Sequence, residues 1–213
     1  MKTLLLSIEC EKDFNTAILK SAKIIEKGGL VAFPTETFYG LGANIKDVNA
    51  LKKIFEVKGR AENVPVLLLI GEMYMVEYYA SHISKQARRI MEAFWPGGVT
   101  LIFNASDDVN PVLTAGTGKI GIRYSSHPVP VCISKKLGYA ITGTSANISG
   151  EAPPDSSEKT LEQLGNKIEL IIDGGLTQGI KPSTVIDVST ENPVVVREGC
   201  IASEAIFREL RFE

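Results

Sequence analysis

Four clusters of polar side chains, each placed where an apolar run meets glycine or proline, are the parts of this sequence able to do chemistry. In the first, Val31-Ala-Phe33 stops at Pro34, which has no amide proton for a sheet ladder; Thr35, Glu36, Thr37 and Tyr39 follow, then Gly40 and Gly42. Such groups at a strand end, beside a glycine-permitted backbone turn, suit a ligand held beyond the strand's carboxyl edge. They equally suit a tight turn whose hydroxyls satisfy their own backbone. The second cluster, Lys58-Gly-Arg60, pairs a mobile point charge with a planar fork. That pairing fits phosphate or carboxylate, and it also fits the C-terminus of a helix. The third, Thr142-Gly-Thr-Ser-Ala-Asn147, can surround an anion with amides and hydroxyls or form a hydrogen-bonded loop. The fourth combines Lys181-Pro-Ser183-Thr184 with Arg197-Glu-Gly199, each flanking a late valine-rich run.

Other signals fail on inspection. Ala115-Gly-Thr-Gly-Lys119 lacks the first phosphate-loop glycine, replaced by Leu113, and the Ser/Thr after the lysine, replaced by Ile120. Gly40-Leu-Gly42 is followed by Ile45 where a dinucleotide fingerprint needs a third glycine. His82 and His127 have no local second ligand, so no protein metal site is predicted. No G-x-S-x-G elbow supports a serine nucleophile. Met73, Met75, Tyr78 and Tyr79 read as helix packing.

The elements that must position these clusters alternate along the chain. Strands are expected at 4–8, 30–33, 66–70, 99–103, 120–124, 139–142, 169–172, 185–188 and 194–196. Helices are expected at 14–25, at 48–58 after the cap Asp47, at 72–80 and 84–94, from Pro128 to 137, at 157–164, and after a cap at Ser203. A polar, glycine-rich loop fills 104–119. Strands separated by helices predict parallel pairing, and the runs at 185 and 194 predict a hairpin. The reading is one α/β domain, residues 1–213, with a mixed, twisted sheet. Its 213 residues can bury a substantial core, and a net charge of −2 provides no global field for nucleic acid. Three distant cysteines without CxxC spacing argue against a disulfide or zinc framework and for a reducing, cytoplasmic setting. No apolar run reaches membrane-spanning length, so no membrane association is expected.

The segments FPTETFYGLGA, KGR, WPGG-VT, GIRYSSHP, TSANISG, STVID and VVREG occur in one order over roughly residues 28–199. In that series the chain resembles the YrdC/TsaC family of threonylcarbamoyl-AMP synthases, in its short, single-domain form. The resemblance implies a YrdC-like fold, a twisted parallel and antiparallel sheet with flanking helices around a large, positively lined concave cavity. It implies that L-threonine, bicarbonate and ATP give threonylcarbamoyl-adenylate and pyrophosphate, with Mg2+ brought on ATP. Partner proteins would then transfer the threonylcarbamoyl group to an adenosine beside the tRNA anticodon. By position, Lys58 and Arg60 take the catalytic roles on phosphates and carbamate. Asn63, Ser145, Asn147 and Arg197 join them on the nucleotide. Thr35, with Tyr39 nearby, matches the threonine pocket, and Arg123 and Ser183 match residues facing threonine or the phosphates.

The chain departs from the commoner family pattern at Ala61, Val64, Gly98 and Glu198, while both cationic and SxN pairs stay intact. Two rival readings stand beside the synthase. One is a module contacting tRNA or double-stranded RNA, which the acidic net charge and the lack of a basic stripe disfavour. The other is a same-fold paralogue with a different adenylating or hydrolytic activity, separable by substrate-dependent pyrophosphate release.

Overall fold

Eleven strands divide between two sheets in the computed structural model, which describes residues 2–61 and 63–210. The first sheet runs β1 (Leu4–Ser7), β9 (Leu170–Asp173), β2 (Val31–Phe33), β3 (Gly40–Gly42) and β8 (Thr144–Ser145). The second runs β11 (Val194–Arg197), β10 (Thr184–Asp187), β5 (Val99–Asn104), β6 (Lys119–Arg123), β4 (Leu68–Leu69) and β7 (Ile141–Thr142). Parallel and antiparallel pairing are mixed as expected, but over two sheets rather than one. The chain passes from the second sheet to the first at Gly143, between β7 and β8. A side chain there would meet Leu69 Cγ at 2.4 Å, so only glycine lets the backbone cross so close to β4.

β5 and β6, joined by the stretch read as a loop, run antiparallel, and one helical turn lies between them. That turn, α5 (Pro111–Thr114), is a single turn inside the expected loop, with Asn110 Oδ1 accepting from Val112 N. It is too short for the crossover a parallel connection requires. The hairpin of β10 and β11 forms as read, with a register shift between Val185 and Ile186. β10 also pairs in parallel with β5.

The glycines of β3 serve a different purpose from the one read in the sequence. They lie in a buried strand instead of a turn, opposite Phe33 and Val31. A Cβ on Gly42 would stand 2.6 Å from the Phe33 ring and one on Gly40 3.0 Å from it. The ring covers the neighbouring strand, and close approach replaces a left-handed turn as the reason for glycine.

Helices close the outer faces. α1 (Glu11–Glu26) buries Ala17, Ile18, Ala22 and Ile25 at helical spacing and packs beside α6 (Pro128–Leu137). α2 (Val48–Lys58) is capped by Asp47, whose Oδ1 accepts from Asn49 N at 2.9 Å and Ala50 N at 3.2 Å. α4 (Lys85–Phe94) and α8 (Ser203–Leu210) pack together under the second sheet with the largest apolar cluster, which includes Leu101, Phe103, Ile120, Ile122 and Ile186. Ser203 does not cap α8; it is the first helical residue, and its amide donates to Glu198 Oε2 at 3.3 Å. Among the described residues, no helix is long and apolar enough to cross a membrane.

Candidate active site

A cavity of about 610 Å3 opens between the two sheets. Its floor follows from period-two alternation on three adjacent strands. On β6, Ile120 and Ile122 enter the core, so Lys119, Gly121 and Arg123 face the cavity. On β5, Leu101 and Phe103 point inward and leave Thr100 and Ile102 on the cavity side. On β10, Ile186 is core while Val185 and Asp187 line the cavity, with Ser183 just before the strand. Thr35, Thr37 and Tyr39, from the loop joining β2 to β3, and Thr144 and Ser145, on β8, form the opposite wall.

Among the described residues four cations line this space, namely Arg60, Lys119, Arg123 and Arg197, against one lining carboxylate, Asp187. Lys119 is matched by Asp187 at 2.8 Å. Arg60 and Arg197 are held by neutral oxygens. Arg60 donates to Thr144 Oγ1 at 3.0 Å and Pro65 O at 2.8 Å. Arg197 donates through Nη2 to Ser183 O at 2.8 Å and Ser183 Oγ at 3.1 Å, and through Nε to the same carbonyl at 3.2 Å. Burial lowers both guanidiniums below the usual arginine range, and Arg123 lowers Arg197 further. The wall is therefore prepared for anions, because an incoming negative charge relieves this repulsion.

Lys58 and Arg60 leave α2 in different directions. Gly59, at φ 57, ends the helix in the left-handed region, with Arg60 N donating to Phe55 O at 2.9 Å. Arg60 reaches the cavity, whereas Lys58 is only 2% exposed and does not line it. Its ammonium donates to Asn147 O at 2.7 Å, to Asn147 Oδ1 at 3.2 Å and to Ser145 O. Burial and the Arg60 charge push Lys58 down to about 7, yet three oxygen acceptors match the three protons of the charged form. The geometry fits the ammonium.

The SxN pair is arranged from behind by that lysine. Ser145 Oγ donates to Asn147 Oδ1 at 2.5 Å, and Asn147 Nδ2 donates to Ile148 O at 2.9 Å and Glu151 O at 2.8 Å. Both side chains touch the cavity while holding their own turn together. Thr35 does the same: its hydroxyl donates to Phe38 O at 2.6 Å and accepts from Thr37 N at 3.1 Å. Tyr39 lines the cavity with its ring, but its hydroxyl donates to Gly175 O at 2.8 Å and accepts from Gly174 N at 3.2 Å. Burial raises that phenol to about 12. Of the residues expected on the nucleotide, Asn63 is exposed and lies outside the cavity lining.

The sequence reading missed Lys119, Thr117, Thr100 and Asp187, all on the wall. Lys119 sat in the rejected phosphate-loop lookalike; its two-residue spacing to Gly121 and Arg123 was the signal that placed it on Arg123's face.

A sequence model of the Sua5/YciO/YrdC family, described as "Telomere recombination", matches residues 23–199. The chain is similar to the threonylcarbamoyl-AMP synthase of Pyrococcus abyssi, 41% identical over 186 residues that make 87% of this chain and 55% of that protein. It thus spans about half the length of this relative. The structure of P. abyssi Sua5 complexed with L-threonine superposes with a TM-score of 0.92 at 37% identity, over 99% of this chain and 61% of that one. Escherichia coli YciO superposes with a TM-score of 0.79 at 29% identity, over 93% and 95% of the two chains.

Proposed function

The chain belongs to the Sua5/YciO/YrdC family, and on that footing we propose that its cavity binds ATP and L-threonine and makes threonylcarbamoyl-adenylate. The observation that carries this reading is the set of cavity arginines. Arg60 and Arg197 face a space of about 610 Å3, and among the described residues neutral oxygens alone are their hydrogen-bond partners. That volume falls within the ~300–1,000 Å3 range of small-ligand sites. The solved relative complexed with L-threonine has the same fold at 37% identity, which supports an amino-acid subsite here.

In the reaction, threonine's neutral amine adds to the carbon of bicarbonate or of CO2 derived from it, giving a carbamate with loss of water or a proton. A carbamate oxygen then attacks the α-phosphorus of ATP, and the bond to the bridging oxygen breaks with release of pyrophosphate. Two anions must approach each other. Arg60 and Arg197 lower that repulsion and remain fixed as charge moves to the departing pyrophosphate. Arg123 and Ser183 take the amino acid's carboxylate, and Lys58 acts through the turn of Ser145 and Asn147.

Magnesium arrives on the triphosphate in this reading. Among the described residues no cluster of three His, Cys, Asp or Glu could hold a metal, and Asp187 on the wall is already paired with Lys119. The residues suit a cation carried mainly by phosphate oxygens, neutralising the polyphosphate as it enters. The product, a reactive mixed anhydride, is passed to transfer proteins for tRNA modification in the cytoplasm.

Pyrophosphate release with ATP, L-threonine and bicarbonate, each omitted in turn, tests the proposal. Release that requires all three is expected. Release that ignores the amino acid assigns the cavity to a different adenylating activity, and retention of RNA at high salt without release favours the RNA reading.

A further inference from the structure

Glu36 does not line the cavity, yet its carboxylate stands behind the most deeply buried cation on the wall. Arg123 is 4% exposed, and its Nε lies 3.6 Å from Glu36 Oε1. Both atoms are buried and neither has a hydrogen-bond partner among the described residues, so each answers the other as charge. The second Glu36 oxygen accepts from Ser125 Oγ, which in turn accepts from His127 N at 3.1 Å. On its other side, Arg123 Nη1 donates to Thr37 Oγ1 at 3.3 Å. No other hydrogen bond of this guanidinium forms among the described residues, which leaves donors for the cavity.

Arg60 and Arg197 are oriented by neutral oxygens, and Arg123 is the single cavity arginine paired with a carboxylate among the described residues. The difference has a physical cause. A guanidinium this buried is costly without a counter-charge, and Arg197 lies close enough for the two cations to oppose each other. We infer that Glu36 is a positioning residue for the reaction. It holds Arg123 from behind, through a charge anchored by Ser125, so that the free guanidinium edge meets the substrate carboxylate. The neighbouring threonines of the same segment cannot replace it, because their hydroxyls carry no charge.

The inference rests on the synthase reading for the identity of the carboxylate, L-threonine. The variants are Glu36→Gln, which keeps shape and an acceptor for Ser125, Arg123→Lys, and the double variant. In pyrophosphate release, Glu36→Gln should raise the KM of the substrate that Arg123→Lys affects, L-threonine, by about tenfold, with the KM for ATP little changed. The double variant should be no worse than Arg123→Lys alone. The Arg123 Nε–H resonance, identified by its loss in Arg123→Lys, should shift or broaden in Glu36→Gln while the rest of the amide spectrum holds.

Additive losses in the double variant, or losses in both KM values that track a fallen melting temperature, would overturn the positioning role. So would an unchanged Nε–H resonance. A wild-type protein without threonine-dependent release overturns the synthase reading instead, and the resonance alone then decides whether Glu36 holds Arg123.

Discussion

Lys58 donates to both oxygens of Asn147, the backbone carbonyl at 2.7 Å and the side-chain oxygen at 3.2 Å. One buried cation thus ties the last turn of α2 to the turn after β8, and the cavity wall depends on a residue behind it.

Lys58→Met should therefore cost stability as well as turnover. It removes the lysine donor from Ser145 O and from both Asn147 oxygens in a buried place, leaving Asn147 Oδ1 with Ser145 Oγ alone, a loss of about 1–3 kcal/mol. Chemical denaturation should show the lowered midpoint, and pyrophosphate release should fall further than the folded fraction explains. Unchanged stability in the Lys58→Met variant would show that Lys58 does not organise this turn.

Arg60 should behave differently, because it is half-buried on the wall and its partners, Thr144 Oγ1 and Pro65 O, lie at the cavity edge. Arg60→Ala is expected to lower kcat/KM for ATP by roughly tenfold to a hundredfold, as loss of a charged contact does. Its melting temperature should stay near wild type. Steady-state kinetics with a thermal melt separates the two effects.

Gly199 backs the segment that carries Ser183. A Cβ there would lie 2.3 Å from Pro182 O and 2.4 Å from both Ser183 C and Thr184 N, all backbone atoms that cannot rotate away. Gly199→Ala should cost about 1–3 kcal/mol by overpacking and should displace Ser183 from Arg197. A urea titration reads the first effect and weakened nucleotide binding by calorimetry the second.

Acid sensitivity should trace in part to His127. Its Nδ1 accepts from Val129 N at 3.3 Å and caps α6, which requires that nitrogen to be unprotonated. Burial lowers this imidazole below 6.5, while the nearby Glu36 opposes the shift. A base with a depressed folded value leaves the unfolded chain binding the proton first, so stability is lost as pH falls below about 6.5. His127→Asn keeps a capping acceptor that does not titrate. It should match wild type near pH 8 and lose less stability than wild type between about pH 6.5 and 5, measured by denaturant midpoints at each pH.

Much of the site was legible in the sequence. Glycine and proline mark strand ends and turns because few other residues adopt those backbones, so the clusters at 35–39, 58–60, 142–147 and 181–184 with 197–199 stood out. All four contribute residues to one cavity. What the pattern concealed was the use of each group. Thr35, Tyr39 and Asn147 are hydrogen-bonding residues in the right place, and much of their capacity is turned to their own loops.

By itself, then, the sequence determined most of the elements, though not β3, β8 or α5, together with the caps at Asp47 and Gly59 and the identity of the polar segments. These depend on local spacing and on backbone preferences, which act over a few residues. Tertiary structure alone decided that the strands form two sheets with the cavity between them. It also decided that the glycines of β3 serve the Phe33 ring, and that the face of β6 shared by Lys119 and Arg123 looks into the site. It turned Lys58 behind the wall and Arg60 into it, although one residue separates them. Those outcomes depend on which surfaces meet between segments far apart in the chain, and only close packing specifies such meetings.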